Sequence, residues 1–170
     1  SRKPCTFAMR AQFQFPDCFV PAMNSDDLLL SEASLVLSHN AATGYIRRAS
    51  ATSYGASLTR AYSKNQVGTA YDQLNNGARA LDLRPRLLSN GTVIFQHDSI
   101  NIFVSFETLI SDAVRWCTDN ANDEELVLLL PSHFAYQTSD YNDDGGEGGN
   151  SMVSAMSRIY QKYGINYLHC

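Results

Sequence analysis

The chain has 170 residues, 44% of them hydrophobic and 18% charged, with a formal net charge of −4. That length and apolar content allow one domain with a real core. No basic run of five or more occurs, so nucleic-acid binding is not expected, and no stretch approaches the ~18 uncharged apolar residues of a membrane span.

Residues 1–33 alternate aromatics, Pro and Cys without a helical or strand period and read as an irregular amino-terminal cover. Cys5 and Cys18 flank part of it, as in a disulfide-closed loop of a secreted protein; unpaired cysteines in a cytosolic chain are the plainer alternative. Together with Cys117 and Cys170 they show no CxxC or Cys/His ligand spacing, which argues against zinc. The apolar run 34–38 has strand length and ends at His39-Asn40. Residues 41–65 are polar and rich in Ser and Tyr, which suits a long loop over a site, with Tyr45 and Tyr54 free to meet a lipid interface. A helix is expected over 66–76, with Val67, Ala70, Tyr71 and Leu74 on one face and a stop at Gly77.

A buried strand over 78–83 then delivers Asp82 and Arg84 at its carboxyl end. Ser89-Asn90-Gly91 turns the chain into a second short strand, 92–96, that delivers His97. Asn90-Gly91-Thr92 is also a glycosylation sequon on that turn and favours secretion. Residues 103–120 carry Phe106, Leu109, Ile110, Ala113 and Cys117 at helical spacing, and 126–130 reads as a strand with Pro131-Ser132-His133 at its end. Asp140, Asn142, Asp144 and Gly145 match the first half of a calcium loop, but Ser151 stands where the bidentate Glu belongs, so a solvated loop is the plainer reading. A last helix covers 151–163. The alternation of strand and helix predicts α/β architecture with βα units in a parallel sheet and right-handed crossovers.

Three predicted strands thus end in catalytic-type side chains: His39, the pair Asp82 and Arg84, and His97. In parallel α/β sheets that edge is where ligands bind, because the loops leaving it form the open concavity. A fixed cation with titratable imidazoles suits a phosphate ester better than an acyl group or a sugar. The plainer alternatives are ordinary polar strand ends, an ion pair of Arg84 with Asp82 or Glu107, and packing roles for Trp116 and the tyrosines.

The runs Leu37-Ser38-His39-Asn40, Asp72-Gln73-Leu74-Asn75-Asn76-Gly77-Ala78-Arg79, Asp82-Leu83-Arg84 and Gln96-His97 resemble, in order and spacing, the X domain of phosphatidylinositol-specific phospholipase C, in its bacterial-type subgroup. The likeness covers residues 34–133. It implies a TIM-type (β/α) barrel of which this chain, over 34–170, forms roughly the first half. It also implies phosphodiester cleavage with His39 as general base, His97 as general acid and Arg84 neutralising the phosphate oxygens. Asn40, Asp82 and Asp98 would support these groups, and His133 and Arg86 would line the substrate. The Asp-x-Arg pattern implies a metal-independent reaction without a cofactor, since calcium-dependent relatives carry carboxylates at both places. The partner implied is phosphatidylinositol or a glycosylated derivative at a membrane surface.

Two departures from the family pattern stand out. Asn40 replaces the Asp that supports the general-acid histidine, a part Asp82 or Asp98 would have to take. A complete barrel takes about 200–250 residues or more, so the chain is expected to be a fragment, with the Asp that orients the first histidine lying beyond it. Two rival functions follow: a catalytically impaired secreted module that binds inositol phosphate or phospholipid head groups, and a metal-dependent phosphodiesterase using the 140–144 loop.

Overall fold

The computed structural model describes residues 34–46, 64–119, 126–136 and 147–165, with backbone alone at 147–150. In chain order these form β1 (Leu37–Ser38), a 3-10 turn (Ala41–Tyr45), α1 (Ala70–Asn75), β2 (Ala80–Leu83), β3 (Pro85–Leu87), β4 (Val93–His97), β5 (Ile100–Ile102), α2 (Phe106–Asp119), β6 (Leu128–Pro131), β7 (Ala135–Tyr136) and α3 (Glu147–Lys162). One sheet is wholly parallel, in the order β1-β2-β6. The other runs β5-β4-β3-β7, antiparallel from β5 to β3, with β7 parallel to β3. Arg84 is the single residue between β2 and β3, so the chain passes from one sheet to the other at that side chain.

The parallel expectation therefore holds for β1, β2 and β6 and fails for the strand that carries His97. The turn explains the failure. Five residues separate β3 from β4, and a parallel return needs a crossover of about a dozen. Leu88 N–H donates to the Thr92 carbonyl (2.9 Å) and Gly91 N–H to that of Leu88 (2.9 Å), while Asn90 Oδ1 accepts from Thr92 N–H (3.0 Å). Among the described residues the parallel strands do not close into a barrel. The irregular cover 1–33, Cys5, Cys18, Cys170, Tyr54 and the 140–144 loop lie outside the described residues, among which there is no disulfide.

The helix expected over 66–76 begins only at Ala70, because Thr69 caps it. Thr69 Oγ1 accepts from Asp72 N–H (3.3 Å) and Asp72 Oδ2 accepts from Thr69 N–H (2.8 Å), a reciprocal capping box. Val67 consequently lies before the helix and is exposed. At the other end Gly77 takes φ 97, Gly77 N–H donates to Leu74 and Ala78 N–H to Gln73, which is the two-bond helix stop that favours glycine. Ser105 Oγ caps α2 by accepting from Thr108 N–H (3.1 Å).

α2 buries Phe106, Leu109, Ile110, Ala113 and Trp116, and α3 buries Met152, Ala155, Met156 and Tyr160, both at helical spacing. Phe106 joins the layers: its ring lies 5.5 Å from that of Phe95 on β4 and 5.6 Å, edge-on, from that of Tyr160. Such pairs add ~0.5–1.5 kcal/mol beyond burial. Arg79 is buried, donates from Nη1 to the Leu74 and Ala78 carbonyls, and stacks 4.6 Å over the Trp116 ring. The 3-10 turn meets the start of α1 at Gly44, where a Cβ would overlap the Gly68 carbonyl. Tyr45, expected at a lipid interface, faces inward instead: its hydroxyl donates to Asp112 Oδ2 (2.7 Å) and accepts from Ala70 N–H (2.9 Å). Burial, with Asp112 adding to it against the lowering from Ala70 N–H, pushes its ionisation well above the usual tyrosine value.

Candidate active site

The carboxylate of Asp82 organises the end of the parallel sheet. Strand register puts Ser38 beside Leu81 and Asp82 beside Leu130, so the residues just past β1 and β6 converge on it. Asp82 Oδ2 accepts from Asn40 N–H (3.0 Å), lies 3.1 Å from His39 Nδ1, and accepts from Arg84 Nε (3.3 Å). Its other oxygen accepts from Ser132 Oγ (3.2 Å). A carboxylate buried to this degree, 8% exposed, requires such compensation. Of the two partners foreseen for Arg84, Asp82 is the one it meets; Glu107 pairs with Lys162.

His39 is half-exposed, with 55% of its side chain accessible. Its carbonyl accepts from Gln66 Nε2 (2.9 Å) and its Nε2 lies 3.2 Å from Asn40 Nδ2. Asn40 itself is left-handed (φ 51, ψ 53), a conformation asparagine tolerates. Thr43 fixes it there, donating from both N–H (2.9 Å) and Oγ1 (2.8 Å) to the Asn40 carbonyl. Gln73 braces the same segment. It accepts from Ser38 Oγ and donates from Nε2 to the Ala41 (2.9 Å) and Gly68 (3.0 Å) carbonyls. The sequence reading had no role for Gln73 or Ser132. The signal for Gln73 was a polar residue one position before Leu74 on a buried helix face.

Arg84 also touches the second sheet. Its carbonyl accepts from Gln96 N–H (2.9 Å), the residue before His97. Arg84 is thus flanked by both histidine-bearing strands, β1 through β2 and β4 directly. His97 is held less firmly: its Nε2 lies 3.8 Å from Asp98 Oδ2, a carboxylate 85% exposed, and its buried Nδ1 has no partner. Among the described residues no hydrogen bond or ion pair joins His97 to His39 or Arg84. Asp98 takes φ 54 at the two-residue tip between β4 and β5. His133, φ 49, joins the group through its backbone, its carbonyl accepting from Gln96 Nε2 (2.8 Å). Arg86 points over β4: Nη1 donates to Asn101 Oδ1 (2.6 Å) and Nη2 to the Asp98 carbonyl (3.4 Å).

His39, Asn40, Asp82, Arg84 and Ser132 are therefore brought together, with Gln96, His97 and His133 on the adjoining strand ends and Arg86 farther out. At this edge the His39 imidazole and the Arg84 guanidinium share the Asp82 carboxylate. Among the described residues no three His, Cys, Asp or Glu side chains converge as a metal-ligand group, and both oxygens of Asp82 are already engaged by donors. No described helix is long and apolar enough to cross a membrane.

No family model matches the chain. Its fold is similar to a solved structure of the phosphatidylinositol-specific phospholipase C of S. aureus, with a TM-score of 0.57 and 14% identity, covering 85% of this chain and 41% of that one. A second structure of that enzyme aligns at a TM-score of 0.49 and 12% identity, over 75% and 36%. The chain spans about two-fifths of the length of the first of these structures. The chain has a mixed α/β fold, similar over the aligned part to that of this enzyme.

Proposed function

We propose that the protein is a phosphodiesterase of the phospholipase C type, acting on phosphatidylinositol-like lipids at a membrane surface. The observation that carries this reading is the position of Arg84, between the strand ends that present His39 and His97. His39 Nε2 removes the proton of the head-group hydroxyl next to the phosphate, and that oxygen attacks phosphorus. The bond to the glycerol oxygen breaks, and His97 delivers the proton this oxygen takes up. The products are diacylglycerol and a cyclic inositol phosphate. Two imidazoles can serve as base and acid at one pH, while the Arg84 guanidinium meets the charge that builds on the phosphate oxygens. The same guanidinium lies against Asp82, where a calcium-dependent enzyme would need a carboxylate, which supports a metal-independent reaction.

Phosphorus NMR on phosphatidylinositol vesicles tests the reading. A cyclic phosphate signal is expected in the presence of a chelator, and full activity of His97→Ala would sink the assignment.

A second reading, a binding module that does not turn over, is favoured by one contact. Asn40 Nδ2 sits 3.2 Å from His39 Nε2, the nitrogen that would take the proton. Calorimetric binding of inositol phosphate without any turnover would decide for it.

A further inference from the structure

The parallel sheet places a carboxylate beside the proposed base. Asp82 Oδ2 lies 3.1 Å from His39 Nδ1, its side chain is 11% exposed, and it pairs with Leu130 of β6 in a strand whose Ala80 and Leu81 pair with β1. The backbone N–H of Asn40 binds the same oxygen at 3.0 Å, so the residue after the histidine is anchored to the carboxylate too. Building on the phospholipase reading, we propose that Asp82 is the positioning residue for both charged groups of the site: it holds His39 in the tautomer protonated on Nδ1 and aims the Arg84 guanidinium.

The physical argument is one of donors and acceptors. A carboxylate at this depth accepts and does not donate, so the ring nitrogen facing it carries the proton. The lone pair is then on Nε2, the outer nitrogen, which faces Asn40 Nδ2 at 3.2 Å, an amide that a substrate hydroxyl would displace. Arg84 Nε donates to that same Oδ2 at 3.3 Å, which fixes the plane of the guanidinium and leaves its terminal nitrogens for the phosphate. Because one oxygen serves the base, the anchoring amide and the cation, losing its charge affects all three. Asp82→Asn is tolerated by this geometry. The amide oxygen can face His39, Asn40 and Arg84, and its NH2 can face Ser132 Oγ, a hydroxyl able to accept.

The test reads the tautomer directly, by nitrogen-15 NMR of the imidazoles in the intact protein, apart from any assay of turnover. In the parent, neutral His39 should show a protonated Nδ1 and an unprotonated Nε2. Asp82→Ala should move it toward the Nε2-protonated form that free imidazole side chains favour, and Asn40→Ala should leave it in place. A His39 tautomer unchanged in Asp82→Ala, or one that switches in Asn40→Ala, would overturn the proposal whether or not the protein is an enzyme. In turnover, Asp82→Asn should lower kcat about 10²–10³-fold with a much smaller change in KM, and adding Arg84→Lys should lower it little further, since both variants disturb one unit. Independent, multiplying losses in the double variant would refute the shared role. A protein with the expected tautomers and no turnover would sink the phospholipase reading and leave the positioning role standing. Should Asp82→Ala fail to fold, Asp82→Leu, which likewise supplies no acceptor, decides by the same spectrum, a tautomer identical to the parent counting against the proposal.

Discussion

The ends of the two sheets treat their polar groups in opposite ways. At the parallel end, the Asp82 carboxylate is met by four donors, from His39, Asn40, Arg84 and Ser132. At the antiparallel end, His97 Nδ1, Gln96 Oε1 and Arg86 Nε are buried without a partner among the described residues, against Asn40 Oδ1 alone at the parallel end. The histidines differ accordingly: His39 faces a carboxylate 11% exposed at 3.1 Å, His97 one 85% exposed at 3.8 Å. The difference teaches that the proposed base is already oriented by a buried carboxylate, while among the described residues the proposed acid has no comparable partner. Preorganised groups cost less rearrangement at the moment of reaction.

The largest expected effects remove the comparison altogether. His39→Ala and His97→Ala should each lower turnover about 10²–10⁴-fold, measured as cyclic phosphate released from lipid vesicles. A variant that keeps parental rates would remove its strand end from the site. Arg84→Lys sharpens the role of the residue between the two regions. It keeps the charge and loses the planar fork, so kcat should fall about 10²–10³-fold with little change in KM. A loss within about twofold would reduce Arg84 to a structural ion pair.

Asp98→Asn tests the looser end. Its contact with His97 is long and solvent-exposed, where ion pairs contribute ~0–1 kcal/mol, so kcat should change less than about tenfold. An effect as large as that of Asp82→Asn would show that the two histidines are equally well held.

Smaller still are changes that leave both regions intact. Thr69→Ala should cost about 1 kcal/mol of stability by thermal melting and leave any activity unchanged. Hydrogen bonds from Thr69, backbone first and then side chain, hold the Asp72 carboxyl below its ordinary 3.8. A depressed acid stabilises the fold above its unfolded value and loses that contribution as pH falls through the folded one. Melts of the parent should therefore weaken below about pH 4, and Thr69→Ala should show a shallower loss there. Tyr45 acts at the other extreme. The unfolded tyrosine ionises near 10.0 and the buried one well above, so stability falls as pH rises past 10.0. Tyr45→Phe should flatten that alkaline loss.

What was legible in the sequence was local. The helix stop at Gly77, the apolar stripe Phe106–Ala113, the buried strand around Leu81 and the strand-end positions of His39, Arg84 and His97 all follow from backbone preferences and periodicity, which neighbouring residues set. The motif order also anticipated the phospholipase-like fold. The start of α1 is not set by periodicity, which extends past Thr69, but by the capping box that ends the helix there. The antiparallel return of β4 departs from the strand–helix alternation, because a five-residue connection is too short for a parallel crossover. Only the tertiary structure decided which groups meet. Asp82 and His39 are 43 positions apart, and Ser132 is 50 beyond Asp82. Their convergence depends on the register between β1, β2 and β6, and register is a property of paired strands that no single strand's sequence contains.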